Sequence, residues 1–432
     1  MKQVIIYPLK DKIDAEVIIP GCIGYTIRAL NIAAMTSGSV KILNPLKSDD
    51  IYSMVNALKS LGIEIIESEN NFTVIGDISD IKNKNYTIDI GLSGRTARTL
   101  LALLCIVPGE KVLTCHEEFK KRPVGDLVEG LRQIGAKIEY LEKENHLPVK
   151  ISDTYLNSGT ISMNGELSSQ YFSALMMIAP IVGDMIINVN GNQSSKPFID
   201  MTIDIMKNFG IKIENNNYKH YKIVTGQTYI NPENYLVEPE ATSASYFWAM
   251  AAITESKIKV LNLGPNSRQG DIKFVDVLEE MGCKINKNTE ENWIEVEGSR
   301  ELKSTNADMN DTPDLVPTLA VVAAFAKGQT IITNIAHAKI KETDRIEAPK
   351  NELLKMGIIA ESTDSSLIIN GGSPLGSEIE TYSDHRMAMS FAVAGTKIAG
   401  ISINNPDVVN KSFPDFWKKL EEIGVKIERS AN

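Results

Sequence analysis

The sequence predicts a two-domain α/β protein assembled from six small repeats. Three observations carry this reading. An amphipathic helix, a glycine and a strand-like tail follow one another six times along the chain. A more apolar helical stretch lies upstream of each of these glycines. The chain has 432 residues, more than one domain usually needs.

The repeated segment reads LKSLGIEI around Gly62, LRQIGAKI around Gly135 and IMKNFGIKI around Gly210. It returns as LEEMGCKI around Gly282, LLKMGIIA around Gly357 and LEEIGVKI around Gly424. Successive glycines are 73, 75, 72, 75 and 67 residues apart. Such a glycine suits the left-handed residue that ends a helix, and the alternating tail starts a strand. The apolar helices are RALNIAAM, ARTLLALL, QYFSALMMIA, ASYFWAMAAI, VPTLAVVAAFA and RMAMSFAVAG. A period this long is unlike the common solenoids and fits small α/β units around a shared helical core. Pro and Asn in NPENYLVEPEATSAS (231–245) mark a crossover. One domain is therefore expected over residues 20–235, and the other over residues 1–19 with 236–432.

Composition narrows the function. Apolar residues are 43% and charged residues 23%, ordinary for a globular chain. The net charge of −10 leaves no global basic footprint for nucleic acid, so an anionic ligand needs a locally positive site. Cys22, Cys105, Cys115 and Cys283 form no C-x-x-C pair, which argues against zinc and thioredoxin-like chemistry and fits a reducing compartment. The N-terminus reads as strand rather than signal peptide, and no apolar run is long enough to span a bilayer. The expected location is the cytoplasm.

Small and polar residues cluster before each apolar helix: PGCIGYTIR (20–28), GLSGRTAR (91–98), GELSSQ (165–170), EATSAS (240–245), NDTPD (310–314) and YSDHR (382–386). Plain helix capping accounts for such serines and threonines. Helix N-termini also present unpaired N–H groups and the positive dipole end, a ready site for phosphate or carboxylate. Arg28, Arg98 and Arg386 fall in or just after these starts, where a cation opposes the dipole and calls for an anionic partner. The densest charge run is AKIKETDRIEAPK (338–350); on a helix, Glu342 with Arg345 and Lys341 with Arg345 would share a face.

These motifs together resemble the EPSP synthases of the enolpyruvyl transferase family. The similarity runs through KRPVGDLVEGLRQIGAKIEYLE (121–142), SSQYFSALMMIAP (168–180), SKPFIDMTIDIMKNFG (195–210), YLVE with SASYF (235–247), QGDIKFVDVLEEMG (269–282), DMNDTPD (308–314), KETDR (341–345), YSDHRMAM (382–389) and KSFPDFW (411–417). The resemblance implies an inside-out α/β barrel in each domain, built from three βαβαββ-like repeats with helices inside and sheets outside. It implies transfer of the enolpyruvyl group of phosphoenolpyruvate to the 5-hydroxyl of shikimate 3-phosphate, a step of aromatic amino acid biosynthesis. Two domains would close on the substrates through two hinge strands. Neither a metal nor an organic cofactor is implied, nor nucleic acid or membrane as a partner, and a monomer is expected.

Carried over residue by residue, the resemblance makes Glu342 the proton donor and acceptor at the methylene, and Asp314 the base for the hydroxyl. Lys341 reaches the acceptor. Arg122, Gln170, Arg345, Arg386 and Lys411 hold phosphoenolpyruvate, Gly94 lets backbone approach it, and Asp384 and His385 line the same pocket. Ser168, Ser169 and Ser195 grip the acceptor's phosphate, and Arg28 its carboxylate.

Departures from the family pattern concentrate at two helix starts. The usual Pro-Gly-Ser-Lys-Ser reads Pro20, Gly21, Cys22, Ile23 and Gly24, so a lysine and a serine are lost. The usual Gly-Asn-(Ala/Ser)-Gly-Thr reads Gly91, Leu92, Ser93, Gly94 and Arg95. Phe198 stands where Tyr is common and His337 where Asn is common. Losing a charge-assisted contact removes ~1.5–3 kcal/mol, and Arg95 is expected to compensate as a new cation, with a solvent-facing Arg95 the alternative. Cys22 and Cys115 are read as inert thiols rather than nucleophiles. Two other functions fit these departures: enolpyruvyl transfer to a different phosphorylated acceptor, and a weakly active homologue that only binds ligand.

Overall fold

All six recurring glycines adopt the left-handed backbone, with φ between 77° at Gly357 and 101° at Gly62, Gly135 and Gly282. Each closes its helix in the same way. The Gly62 N–H donates to the Lys59 carbonyl at 3.0 Å, and the next N–H, of Ile63, reaches back to Leu58 at 3.1 Å. Gly424 and Val425 repeat this on Glu421 and Leu420, both at 3.0 Å. Two orphan carbonyls are thereby satisfied, and the chain is turned into the following strand.

A computed structural model describes residues 2–430. Residues 1, 431 and 432, included in the expected domain ranges, lie outside the described residues. The helices are α1 (Ile23–Ala34), α2 (Asp49–Leu61), α3 (Gly94–Leu104), α4 (Gly125–Gln133), α5 (Ser169–Val182), α6 (Lys196–Asn208), α7 (Ala241–Thr254), α8 (Phe274–Glu280), α9 (Val316–Ala324), α10 (Glu347–Lys355), α11 (His385–Gly395) and α12 (Phe416–Glu422). The even-numbered helices end at the six glycines. The odd-numbered ones are the apolar helices, and α1, α7, α9 and α11 are buried along their whole length. In α3 every residue is buried except Arg95 and Arg98.

Among the described residues the strands form six four-stranded sheets of one topology. In a typical one, Tyr86–Asp89 runs parallel to Lys111–Thr114, which pairs antiparallel with Val149–Ile151, itself in a hairpin with Ile138–Tyr140. A parallel pair needs a long crossover, and α3 supplies it here. Strands such as Asn71–Ile75 alternate between buried and half-buried residues, so one face packs on the helices and the other meets solvent.

The chain divides into two units, one spanning Gly21–Glu238 and the other running through Pro20 and from Pro239 onward. Each has its own hydrophobic core. In the first, α1 and α5 both pack against α3, and in the second α7, α9 and α11 pack on one another. Two strands come from the crossover segments. Asn234–Leu236 completes the first sheet beside Ser39–Leu43, and Asp14–Ile18 completes the fourth beside Lys257–Leu261. The N-terminal strand Gln3–Ile6 sits between Ile401–Asn404 and Ile427–Ser430 in the sixth.

Candidate active site

In the second unit, charged side chains converge beside the starts of the buried helices. The 338–350 segment is not a continuous helix. A short 3-10 turn covers Ala336–Ile340, and α10 begins only at Glu347. The Asp344 carboxylate sets that start, accepting the N–H groups of Ile346 at 2.9 Å and Glu347 at 3.1 Å. Lys341, Glu342 and Arg345 therefore occupy a turn rather than a helix face, yet Arg345 still donates to Glu342 at 2.7 Å.

Arg345 is 1% exposed and meets three carboxylates. Its Nε donates to Asp384 Oδ2 at 2.8 Å, one Nη donates to Asp314, and the other to Glu342. Burial pulls the Arg345 pKa down, but Asp384, Asp314 and Glu342 outweigh it and hold the guanidinium above its ordinary range. Arg386 donates to the second Asp314 oxygen at 2.8 Å and to the Tyr246 hydroxyl at 3.4 Å. Lys411 donates to the second Glu342 oxygen at 2.8 Å. Arg345, Arg386 and Lys411 thus balance Asp314, Glu342 and Asp384 in one network.

Local backbone geometry places Asp384. Tyr382 and Ser383 both have positive φ, 52° and 57°, a costly conformation for a tyrosine. The Tyr382 hydroxyl is held by buried Glu352 at 2.7 Å. The turn lets Asp384 cap α11, accepting the Arg386 N–H at 2.8 Å, while it binds Arg345. His385 is 4% exposed, and burial followed by the charge of Arg386 pushes its pKa well down, so its imidazole is neutral. Burial, and then the charge of Lys341, pushes the His337 pKa down.

Tyr246, Thr242 and Asp271 also belong to this cluster, although sequence reasoning gave them no role. Thr242 donates to Asp271, whose pKa is pushed up to about 7 by burial and then by the charge of Asp314. The sequence signal was present: EATSAS and QGDIKF were both singled out, the first as a helix start. Nothing local says that they meet.

The Gly21–Glu238 unit carries a second, arginine-rich cluster. A Cβ on Gly94, the first residue of α3, would lie 3.1 Å from Phe119, 3.3 Å from Arg122 and 3.4 Å from Arg98, a tight fit that puts both guanidinium groups near this helix start. Arg122 stacks over Phe119. Arg98 donates to Gln170 Oε1 at 2.8 Å and lies over the Tyr171 ring. Gly94 thus lies near both Arg122 and Arg98, and Arg98 bonds Gln170. Arg98 was noted only as a helix-start arginine.

Ser168 caps α5, accepting the Gln170 N–H at 3.3 Å, with Ser169 buried behind it. Ser195 precedes α6 with a φ of 51° and makes no side-chain cap bond. Its loop lies beside the Ser168 loop, since the Ser194 N–H donates to Gly165 at 2.9 Å. Arg28 is buried and donates to Thr202 at 2.8 Å, to the Gly24 carbonyl at 2.9 Å, to the Phe198 carbonyl at 3.1 Å and to Ser173 at 3.3 Å. The anionic partner expected for it is not a protein carboxylate; all four acceptors are neutral. Arg28 and Arg95 line one cavity with Gln170 and Phe198.

Among the described residues, no group of three or more His, Cys, Asp or Glu side chains could hold a metal ion, and no helix is long and apolar enough to cross a membrane. Burial pushes the Cys115 thiol up to about 11 and the Cys105 thiol up to about 12, which suits inert thiols.

The sequence model of EPSP synthase (3-phosphoshikimate 1-carboxyvinyltransferase) matches residues 9–420. The chain belongs to the EPSP synthase family. The 3-phosphoshikimate 1-carboxyvinyltransferase of Vibrio atlanticus (strain LGP32) is 40% identical over 430 residues, covering 98% of this chain and 100% of that protein. That of Shewanella baltica (strain OS195) is 40% identical over 429 residues with the same coverage. The structure of EPSP synthase from Acinetobacter baumannii superposes with a TM-score of 0.87 at 26% identity, covering both chains completely. Membership of the EPSP synthase family makes the protein a transferase with a mixed α/β fold.

Proposed function

We propose that this member of the EPSP synthase family transfers the enolpyruvyl group of phosphoenolpyruvate to the 5-hydroxyl of shikimate 3-phosphate, releasing phosphate. The observation that carries this reading is the Arg345 network, in which two candidate proton carriers, Asp314 and Glu342, are held on cations suited to an anionic substrate. In the addition step Asp314 takes the hydroxyl proton as the oxygen attacks C2, and Glu342 delivers a proton to the methylene. In the elimination step Glu342 takes a methyl proton back as the C2–phosphate bond breaks, and Asp314 returns its proton to the departing phosphate. Both steps are general acid–base chemistry and need no electron carrier. An arriving phosphoenolpyruvate competes with Glu342 for Lys411 and Arg345, and this competition releases the carboxyl for proton exchange.

In the Gly21–Glu238 unit, Arg122, Gln170 and Gly94 are assigned to phosphoenolpyruvate. Ser168, Ser169 and Ser195 are assigned to the acceptor's phosphate, and Arg28 to its carboxylate. Asp384, which holds Arg345, and His385 are assigned to line the same donor pocket, and Lys341 to contact the acceptor. The six buried helices and six outer sheets support reading the fold as an inside-out α/β barrel with three repeats in each unit. A second reading, a different phosphorylated acceptor, is favoured by one observation: Gly24 and Phe198, both departures from the family pattern, line the same cavity.

Phosphate release with both substrates tests the proposal. Saturable release that requires both shikimate 3-phosphate and phosphoenolpyruvate is expected, and Glu342→Gln should lower kcat by roughly 10²-fold or more. Release only with other phosphorylated acceptors would favour the second reading, and no release with any would overturn both.

A further inference from the structure

Arg95 and Arg98 stand one helical turn apart on a helix otherwise buried throughout. Arg98 turns to Gln170 and Tyr171, on the side of Gly94 and Arg122. Arg95 lines the cavity whose polar wall includes Arg28 and Gln170, the acceptor of Arg98, and whose apolar wall includes Ile27, Met177 and Phe198. The cavity is partly open and has only about 20 Å³ of free space, enough for one small polar group. Two guanidinium groups thus border one small space.

Arg28 is the less comfortable of the two. Its pKa is pushed down to about 10, chiefly by burial; Cys22 and Tyr25 pull it back up, and the charge of Arg95 lowers it further. The hydroxyls and carbonyls around it supply no negative charge. An anion in the cavity would relieve both the desolvation of Arg28 and its repulsion from Arg95. Gly24 offers no side-chain donor there, and a Cβ on it would already stand 3.4 Å from Arg28 Nη1. Two cations around so small a space suit a single carboxylate group, with Ile27, Met177 and Phe198 giving apolar contact to the skeleton that carries it.

We propose that Arg95 is a specificity residue for the acceptor, binding its ring carboxylate jointly with Arg28 rather than substituting for a missing phosphoenolpyruvate contact. This inference rests on the proposed enolpyruvyl transfer to shikimate 3-phosphate. Steady-state kinetics of Arg95→Gln test it. The KM for shikimate 3-phosphate should rise roughly 10- to 100-fold, while that for phosphoenolpyruvate changes by less than about threefold. Arg95→Lys should recover part of the loss. An acceptor with a carboxamide in place of the carboxylate should be used equally by the unmodified and Arg95→Gln proteins. A selective rise in the phosphoenolpyruvate KM, or unchanged kinetics in a protein that turns over shikimate 3-phosphate, overturns the assignment of Arg95 alone. An unmodified protein that neither turns over nor binds shikimate 3-phosphate overturns the activity and this inference together.

Discussion

Arg345 shows how much chemistry one buried side chain organises. Removing any of its three carboxylates leaves charge uncompensated in the interior, a change that typically costs about 3–5 kcal/mol. The charges themselves were legible in KETDR, NDTPD and YSDHR. Their pairing was not, because Arg345 reaches partners 31 and 39 residues away that no local rule connects. The helix-face argument for Lys341, Glu342 and Arg345 failed because Asp344 caps the following helix and leaves them in a turn. Asp271 gives a test at this scale. Its carboxyl, ordinarily near 3.8, is pushed up to about 7, so the folded state binds this proton more tightly than the unfolded state does. The stability it contributes is complete below the ordinary value and is lost as pH rises through about 7. Asp271→Asn should therefore lose less stability than the unmodified protein between about pH 5 and about pH 8. Denaturation midpoints at the two pH values measure this, and equal losses would contradict it.

Helix ends are the most regular elements of the molecule. One glycine per repeat takes a positive φ and satisfies the last carbonyls, and its identity was readable because few residues tolerate that conformation. At Gly62 and Gly424 a Cβ would meet nothing within 4 Å, so the cost of a side chain there is conformational alone. Gly424→Ala should lower stability by about 1–2 kcal/mol, and Gly424→Asn by less, since asparagine enters the left-handed region more readily. Chemical denaturation of the three proteins gives the comparison; an alanine variant as stable as the parent would refute the argument. The apolar helices were equally legible from their composition. What sequence hid was which of their starts hold arginine and which hold acid–base pairs. The cluster GLSGRTAR carries two arginines, and only packing reveals that Arg95 lines a cavity with Arg28 while Arg98 bonds Gln170.

At the scale of the whole molecule, one unit is inserted into the other along the chain. The flanks of the insertion are bonded on each side: the Glu240 N–H donates to Pro20 at 2.9 Å, and the Cys22 N–H to Glu238 at 2.7 Å. Each unit therefore keeps all its sheet partners if the two are separated at these points. Residues 21–238 alone, and a chain joining Pro20 to Pro239 through a short glycine linker, should each unfold in one cooperative thermal transition. A fragment ending at 233 loses Asn234–Leu236, bares the edge of Ser39–Leu43, and should melt at lower temperature. Calorimetry decides, and broad, non-cooperative melting of the intact units would count against their independence. The sequence by itself determined the six helix–glycine–strand repeats, the apolar helices and the family, because these depend on backbone preference, hydrophobic period and motif order within a few tens of residues. Tertiary structure alone decided that Arg345 gathers Asp314, Glu342 and Asp384, that Thr242 meets Asp271, and that Arg95 shares a cavity with Arg28. Such contacts join residues far apart in the chain, and burial, which no local pattern records, sets their charge states.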